Sequence, residues 1–575
     1  MAGEGNGLFM PNGAWENRWG IALMMVKMTM IHQEVTSVSA EHEKITLSRQ
    51  DLEQRLWHHD ATHLGFAMTP LFQSFMAPAL AQALNGLIPE GQEGPGFDTR
   101  VYHGYIYVAS PPGQGKGPTV PSEAMKEEFA NIRPRFDRII AEEILPQYAA
   151  IERMAEAIQT PEQAASALET LREMYASIWK WHMRIVRPAF SAQEMFEALY
   201  LQRFPDKRAV DAHELLAGLS NKFVETDREL ARLATRARRS PEARAAILQK
   251  DAWQALQEEP RAREFLEELC TFTHVYGWRV GASHDFYERT WIEDPSPALA
   301  VIRQFMESGY DFDAEWSATV RHRQEALKDA LASLANADDR ARFEEAYQFA
   351  SQARPLDEDH HFYIDAMLPA KCRGLLLRVA EILVGQGAIA QSQEVFFLYR
   401  QEVIELLRGS SAIAASQVAD QRYQEYRRYR EETPSESLGQ APQEQANSEA
   451  PSEASQVAGT LRGLSASAGS WQGTARVLHG PEDFSKLQSG DVLIARTTTP
   501  VWSSLFAVAG AVVTDAGGIL SHAATVAREY RVPCVVATKT ATRVICDGDQ
   551  VLVDGDQGFV QMMGSTDRGS KVGIG

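Results

Sequence analysis

The densest chemical signal in the sequence is Thr514-Asp-Ala-Gly517-Gly518-Ile-Leu-Ser521-His522-Ala-Ala-Thr-Val-Ala-Arg528-Glu529. An apolar run ends in two glycines and Ser-His follows at once, which predicts a buried strand, a turn, and a helix opening near Gly518. The first turn of a helix presents unpaired N–H donors and a partial positive charge, and so is the best backbone site for an anion. A histidine there is a poor cation but a good neutral nucleophile toward phosphorus, and Ser521 with the donors around Gly517 and Gly518 could hold the phosphoryl group. Arg528 lies six residues on, about 240° around the helix. That spacing gives the Arg528-Glu529 pair a structural role. Upstream, Thr499 and Pro500 form the N-cap and N1 pair of another helix, where Thr497 or Thr499 could line the same pocket.

Three textures surround this motif. From about Leu47 to Gly409 apolar residues recur every three or four positions, predicting an all-α body. One stretch, Thr99 to Ala109, is β-branched and aromatic and predicts a strand or short hairpin set on the helices. From Thr433 to Gln456 the composition falls to Pro, Ser, Gln, Ala and Glu, too polar to order itself. Such a linker has a coil span of roughly 27 Å and an extended reach of about 80 Å. From about Gly459 to Met563 short apolar runs alternate with glycine-rich turns and two helices, predicting a small α/β domain. The chain is thus multidomain: 1–410 helical, 411–458 helix end and flexible linker, 459–565 α/β, and 566–575 a tail.

With 575 residues, 44% hydrophobic and 23% charged, the chain is long enough for several cores. No stretch of about 20 apolar residues marks a membrane span, and the N-terminus lacks a basic signal-peptide start. A cytoplasmic protein is expected. A net charge of −20 argues against nucleic acid as partner. Four cysteines, none in a CxxC, fit neither a disulfide framework nor a cysteine zinc site. The glycine-rich stretch around Lys116 lacks the first Gly and the final Ser/Thr of a P-loop and reads as a plain loop.

The pattern Gly-Gly, two residues, Ser-His, then Ala-Arg-Glu and a nearby Pro533 closely resembles the signature of the phosphoenolpyruvate-utilising enzymes' mobile, or swivelling, phosphohistidine domain. The resemblance extends from Gly463 through Gly490-Asp-Val-Leu-Ile to Asp554-Gly-Asp. It implies that His522 carries the phosphoryl group, with Ser521, Gly517, Gly518 and Thr499 around the phosphate. Clusters in the helical body resemble the acceptor-binding region of phenylphosphate synthase subunits and rifampicin phosphotransferases: Trp57-His-His-Asp60 to Phe72, His213 to Lys222, Tyr276-Gly-Trp278-Arg279, Trp291 to Pro295, and Glu358 to Asp365. Trp57, Phe72 and Trp278 are the substrate-binding candidates.

Such a carrier needs a donor. The chain ends twelve residues after Met563 and the helical region lacks an ATP-grasp pattern, so the phenylphosphate synthase arrangement is expected, with a separate ATP-grasp subunit. Magnesium or manganese would accompany ATP there, with metal ligands unassigned and no organic cofactor. A phenol-like acceptor has a pKa of roughly 10 and requires a base. His360 and His361 form the densest ionisable cluster and are the candidates, with Arg279 or Lys371 offsetting phosphoryl charge. Adjacent helical histidines point different ways, so one faces any given pocket. His58 and His59 read as exposed helix residues first; His284 and Asp285 rank with them. The acceptor is phenol or a related aromatic; an antibiotic or natural product, or a carrier without a small-molecule site, are the alternatives.

Overall fold

The structure, a computed structural model of the chain, describes residues 45–60, 64–88, 95–111, 121–279, 284–409, 414–439 and 459–563. The predicted β insertion is a four-stranded antiparallel sheet of β1 (Leu56–His59), β2 (Asp98–Tyr102), β3 (Tyr105–Ala109) and β4 (Ser437–Gly439), in the order β2-β3-β1-β4. His103 and Gly104 turn the central hairpin with φ of 49° and 78°, the left-handed pair that matches strand twist. Two expectations are corrected here. The residues Trp57 to His59 form a strand rather than a helix, because β1 pairs with both β3 and β4 and so buries Trp57 within the sheet. The expected helix end is the helix over Ala415–Glu431, but the start of the linker expected from Thr433 supplies β4. Residues 440–458 of the predicted linker and the loop around Lys116 lie outside the described residues.

The body is helical as predicted. Its principal elements are α1 (Pro70–Asn85), α2 (Pro161–Arg203), α3 (Lys222–Arg239), α4 (Phe312–Ser333), α5 (Leu356–His360), a π-helical turn His361–Ala366, and α6 (Met367–Gly385). Helix α2 starts on a Thr160–Gln163 capping box with Pro161 at N1, two start signals in succession. The π-turn has an identifiable cause. Pro369 cannot donate to the carbonyl of Asp365 four residues earlier, and its ring crowds that oxygen. The carbonyl instead accepts from His284 Nδ1 at 3.2 Å, and the widened turn presents His360, His361 and Asp365 together.

The C-terminal domain is an eight-stranded sheet in the order β5-β12-β11-β7-β8-β9-β10-β6. Its strands are β5 (Thr460–Arg462), β6 (Leu464–Ser467), β7 (Ser470–Leu478), β8 (Val492–Ala495), β9 (Ala511–Thr514), β10 (Cys534–Val536), β11 (Gln550–Asp554) and β12 (Phe559–Met562). β7 to β10 are parallel, and β8, β9 and β10 are buried throughout, as strands covered on both faces must be. Helix α7 (His522–Tyr530) follows β9. The helix opening at Pro500 is a 3-10 helix, Pro500–Ala507.

The two units share an apolar core in which Val224, Trp291 and Phe305 of the body meet Trp502, Phe506 and Ala523. The seam is also polar. Glu529 accepts from Gly218 N at 2.6 Å and its carbonyl from Thr319 at 3.0 Å, Tyr530 donates to Asp227, and Gln304 donates to the carbonyls of Phe484 and Leu487 at 3.0 and 3.1 Å. Among the described residues no helix is long and apolar enough to cross a membrane.

One buried histidine in this framework yields a pH-dependent prediction. His213 is 1% exposed, pairs through Nε2 with Glu197 at 2.7 Å, and burial pushes it down to about 4. Below an unfolded value of about 6.5 the unfolded chain binds a proton that the folded chain refuses until about pH 4, so this residue costs stability as pH falls through that window. The stability lost between those pH values should shrink by up to about 3 kcal/mol in His213→Gln, measured by urea unfolding at the two ends. An unchanged acid slope would refute the assignment.

Candidate functional site

His522 opens α7 and is half-buried at the seam between the α/β domain and the body. Its Nδ1 lies 3.0 Å from Thr498 Oγ1 and its Nε2 3.1 Å from Ser503 Oγ. Phe223 and Phe506 stand edge-on to the ring at 6.2 and 6.4 Å. Burial, with His361 and Arg279 adding positive charge, holds His522 well below the ordinary histidine range. It is therefore neutral at physiological pH and carries the lone pair a nucleophile needs.

The loop before it is built for close approach. Gly517 has φ +117°, and a Cβ there would fall 2.9 Å from Ser521 Oγ, so a side chain meets both strain and a clash. Ser521 takes the N-cap position without capping, and its buried Oγ makes no hydrogen bond; it is a donor beside His522 with no internal claim on it. A Cβ on Gly518 would meet nothing within 4 Å. Arg528 is buried and donates to the carbonyls of Ala466 at 2.8 Å and Ile519 at 2.9 Å, which braces the loop as its spacing implied. Its partner Glu529 turns outward to the body. Thr499, expected at the phosphate, sits at the N-cap of the Pro500 helix without a side-chain cap bond, and its neighbour Thr498 makes the contact with His522.

Across the seam the predicted residues divide. Arg279 is 1% exposed, its guanidinium 4.4 Å over Phe223 and 5.5 Å over Trp291, and its charge acts on both His522 and Asp227. His361 donates from Nδ1 to Asp365 Oδ2 at 2.5 Å, which leaves Nε2 as its basic atom, and it stands near enough to influence His522. The His360 ring lies 4.1 Å from that of His361, and its Nε2 is 3.8 Å from the same Asp365 Oδ2. It is 1% exposed with Nδ1 on the Leu356 carbonyl at 2.7 Å, so the two histidines do not share the role of base. Lys371, on α6, pairs with Glu152 and caps the Trp278 ring at 3.6 Å. Phe72 is fully buried against Phe286 at 5.0 Å, and Trp57 is fully buried, donating to the Asp51 carbonyl at 3.0 Å. These side chains are structural because the packing that orders them leaves no face for a ligand. Asp285 likewise binds Thr69 N and Oγ1 at 2.6 and 2.7 Å, His58 pairs with Ser437 Oγ at 3.0 Å, and His59 with the Leu64 carbonyl at 3.1 Å.

Residues given no individual role by the sequence complete the seam. A cavity of about 30 Å³ lies between the units, lined by Phe223, Tyr310, Trp316, Asp227, Glu358 and Ser503 among others. That is room for about two waters. Burial pushes Asp227 up to about 6 and Glu358 up to about 8, so Glu358 is largely protonated at neutral pH and its Oε2 has no hydrogen-bond partner. These positions lie far apart in sequence, so nothing in their order signalled that they line one cavity.

Comparison with known proteins agrees with this division. Residues 487–558 match the family described as PEP-utilising enzyme, mobile domain, and residues 181–358 match the rifampicin phosphotransferase fourth domain. A Bacillus subtilis (strain 168) protein named uncharacterized phosphotransferase YvkC is 32% identical over 93% of this chain, which spans 65% of that protein. Chondramide synthase cmdD of Chondromyces crocatus is 32% identical over 88% of this chain and 14% of its own length. A rifampicin phosphotransferase of Bacillus cereus is 26% identical over 52% of this chain and 34% of its own. The chain thus spans less than two thirds of the length of each of these relatives.

Proposed function

We propose, on the premise that residues 487–558 are a PEP-utilising enzyme mobile domain and that residues 181–358 match the fourth domain of rifampicin phosphotransferases, that this chain carries a phosphoryl group on His522 and passes it to a hydroxyl acceptor bound against the helical body. The observation that supports this most is the placement of one neutral histidine, flanked by Thr498 and Ser503, opposite Arg279 and the His361–Asp365 pair.

In the transfer step the acceptor oxygen bonds to phosphorus as the P–N bond to His522 breaks. The acceptor proton passes to His361 Nε2, while Asp365 stabilises the imidazolium that forms. A proton from solvent enters at the other ring nitrogen of His522, so the histidine departs as neutral imidazole. Whichever nitrogen carries phosphorus, the other keeps a hydroxyl partner. Arg279 offsets phosphoryl charge, and Ser521 donates to it. The cavity found at the seam has room for about two waters, so in this reading the acceptor enters when the domain lifts away.

The donor in this reading is ATP on an ATP-grasp unit that the mobile domain visits in a second position, with Mg²⁺ or Mn²⁺ held by the nucleotide. Those ions favour oxygen ligands. Among the described residues the one grouping with metal-ligand spacing is imidazole-rich and does not suit them. The acceptor is a phenolic or related aromatic hydroxyl. A hydroxylated natural product is the second reading, favoured by the match of residues 181–358 to the rifampicin phosphotransferase domain.

A single-turnover experiment tests the function. The chain, phosphorylated with phosphoramidate as a small chemical donor, is offered phenols, hydroxylated antibiotics and water. Accelerated loss of label to one class, with a new phosphate ester as product, is expected. Loss at the rate of hydrolysis with every acceptor would overturn it.

A further inference from the structure

We propose that His182, His360 and Asp365 form a binding site for a divalent transition-metal ion, zinc foremost, inside the helical body. The site stands on its own geometry and does not depend on the phosphotransfer reading.

The three residues offer ligand atoms that all lie within 4.8 Å of one another. His182 Nε2 is 3.3 Å from Asp365 Oδ1, and His360 Nε2 is 3.8 Å from Asp365 Oδ2. Ligand atoms on a tetrahedral ion with bonds near 2.0 Å are about 3.3 Å apart, so small shifts would close the set on one ion. All three side chains are nine-tenths or more buried, at 2%, 1% and 4% exposure. Their inward atoms are unsatisfied: His182 Nε2, His360 Nε2 and Asp365 Oδ1 make no hydrogen bond. Buried polar atoms without partners are costly and rare, and three of them converging on one point suggest a shared partner.

The surroundings are those of a ligand set. His360 Nδ1 donates to the Leu356 carbonyl at 2.7 Å, which fixes the tautomer with the Nε2 lone pair aimed inward. Asp365 Oδ2 is oriented by His361 Nδ1 at 2.5 Å, and Trp179 packs on the His182 ring at 4.5 Å. Two imidazoles and one carboxylate select a borderline transition ion over magnesium or calcium and leave a fourth position for water. The scaffold is rigid where it matters, since α2 supplies His182 while α5 and the π-turn supply the others. An ion there would tie α2 to the turn that carries His361, which makes it a positioning device for the candidate base.

The test is metal content of the full chain, purified without chelator and assayed by elemental mass spectrometry. About one equivalent of a divalent transition ion is expected. After removal with a strong chelator, added Zn²⁺ should rebind at one per chain and raise the melting temperature, and Co²⁺ should give the visible bands of a low-coordinate site. His182→Ala and the isosteric Asp365→Asn should each weaken Zn²⁺ binding at least about tenfold. If His182→Ala fails to fold, Asp365→Asn carries the test. No ion in the purified chain together with no Zn²⁺ or Co²⁺ binding at micromolar concentration would overturn the proposal, as would unaltered binding in a folded Asp365→Asn.

Discussion

His522→Ala should abolish acid-labile phosphorylation and reduce phosphoryl transfer by on the order of 10⁴-fold or more, the scale seen when a covalent nucleophile is removed. The expectation rests on position as much as on residue type. His522 is the residue at the α7 N-terminus that both Thr498 and Ser503 bond, and desolvation at the seam holds its half-buried imidazole neutral. A neighbouring hydroxyl could not substitute, because a serine phosphate is stable to acid and a phosphohistidine is not. The measurement is retention of label from phosphoramidate, or from ATP with the donor unit, followed by acid treatment. Label that persists in His522→Ala, or that survives acid in the parent chain, would refute the carrier role. His522→Asn keeps one hydrogen-bonding atom near each hydroxyl and guards against a packing artefact; it should be equally inactive.

The second large effect is expected at His361. Removing a general base typically costs about 10²- to 10⁴-fold, so His361→Gln should slow transfer to an acceptor by that factor. Phosphorylation of His522 itself should be unaffected, since the base acts on the acceptor and not on the carrier. That split separates a base from a merely structural residue: a folding defect would lower both half-reactions together. A graded series of phenols adds a further check. Acceptors of lower pKa need the base less, so the defect should shrink as the phenol becomes more acidic. Equal losses across the series, or in both half-reactions, would remove His361 from the mechanism.

The docked arrangement explains why both residues can act although they belong to different units. Glu529 and Tyr530, at the far end of the helix that begins with His522, grip Gly218, Thr319 and Asp227 of the body. The helix is nine residues long, so its docking end and its reactive end are rigidly coupled. Contacts of this mixed polar and apolar kind allow release as well as capture, as the proposed shuttling between donor and acceptor would require.

The local motif was legible because its chemistry is contiguous. Gly517, Gly518, Ser521 and His522 stand within six positions, and a strand–turn–helix needs only its own residues to place them. The same locality predicted the bracing role of Arg528 and the hairpin at Thr99 to Ala109. What failed in the sequence reading failed for the opposite reason. Trp57, Phe72 and Lys371 have types suited to an aromatic or anionic ligand, but their partners, Leu438 and Tyr107, Phe286, and Glu152, are tens to hundreds of residues away and claim those side chains. Nothing in the order of residues ranks a distant apolar neighbour against a substrate.

The sequence by itself thus determined the frame of the proposed carrier: a histidine at a helix start, on a small α/β domain joined to a helical body. Only the tertiary structure decided what faces it. The π-turn before Pro369 gathers His360, His361 and Asp365, with His361 close enough to His522 to act on its charge and the His360 ring 5.0 Å from that of His182 on α2. Periodicity assigns residues to faces of regular helices, and a π-turn shifts that assignment by one residue. The pairing of elements far apart in the chain is set by which buried surfaces complement each other, and that complementarity exists only once the chain has folded.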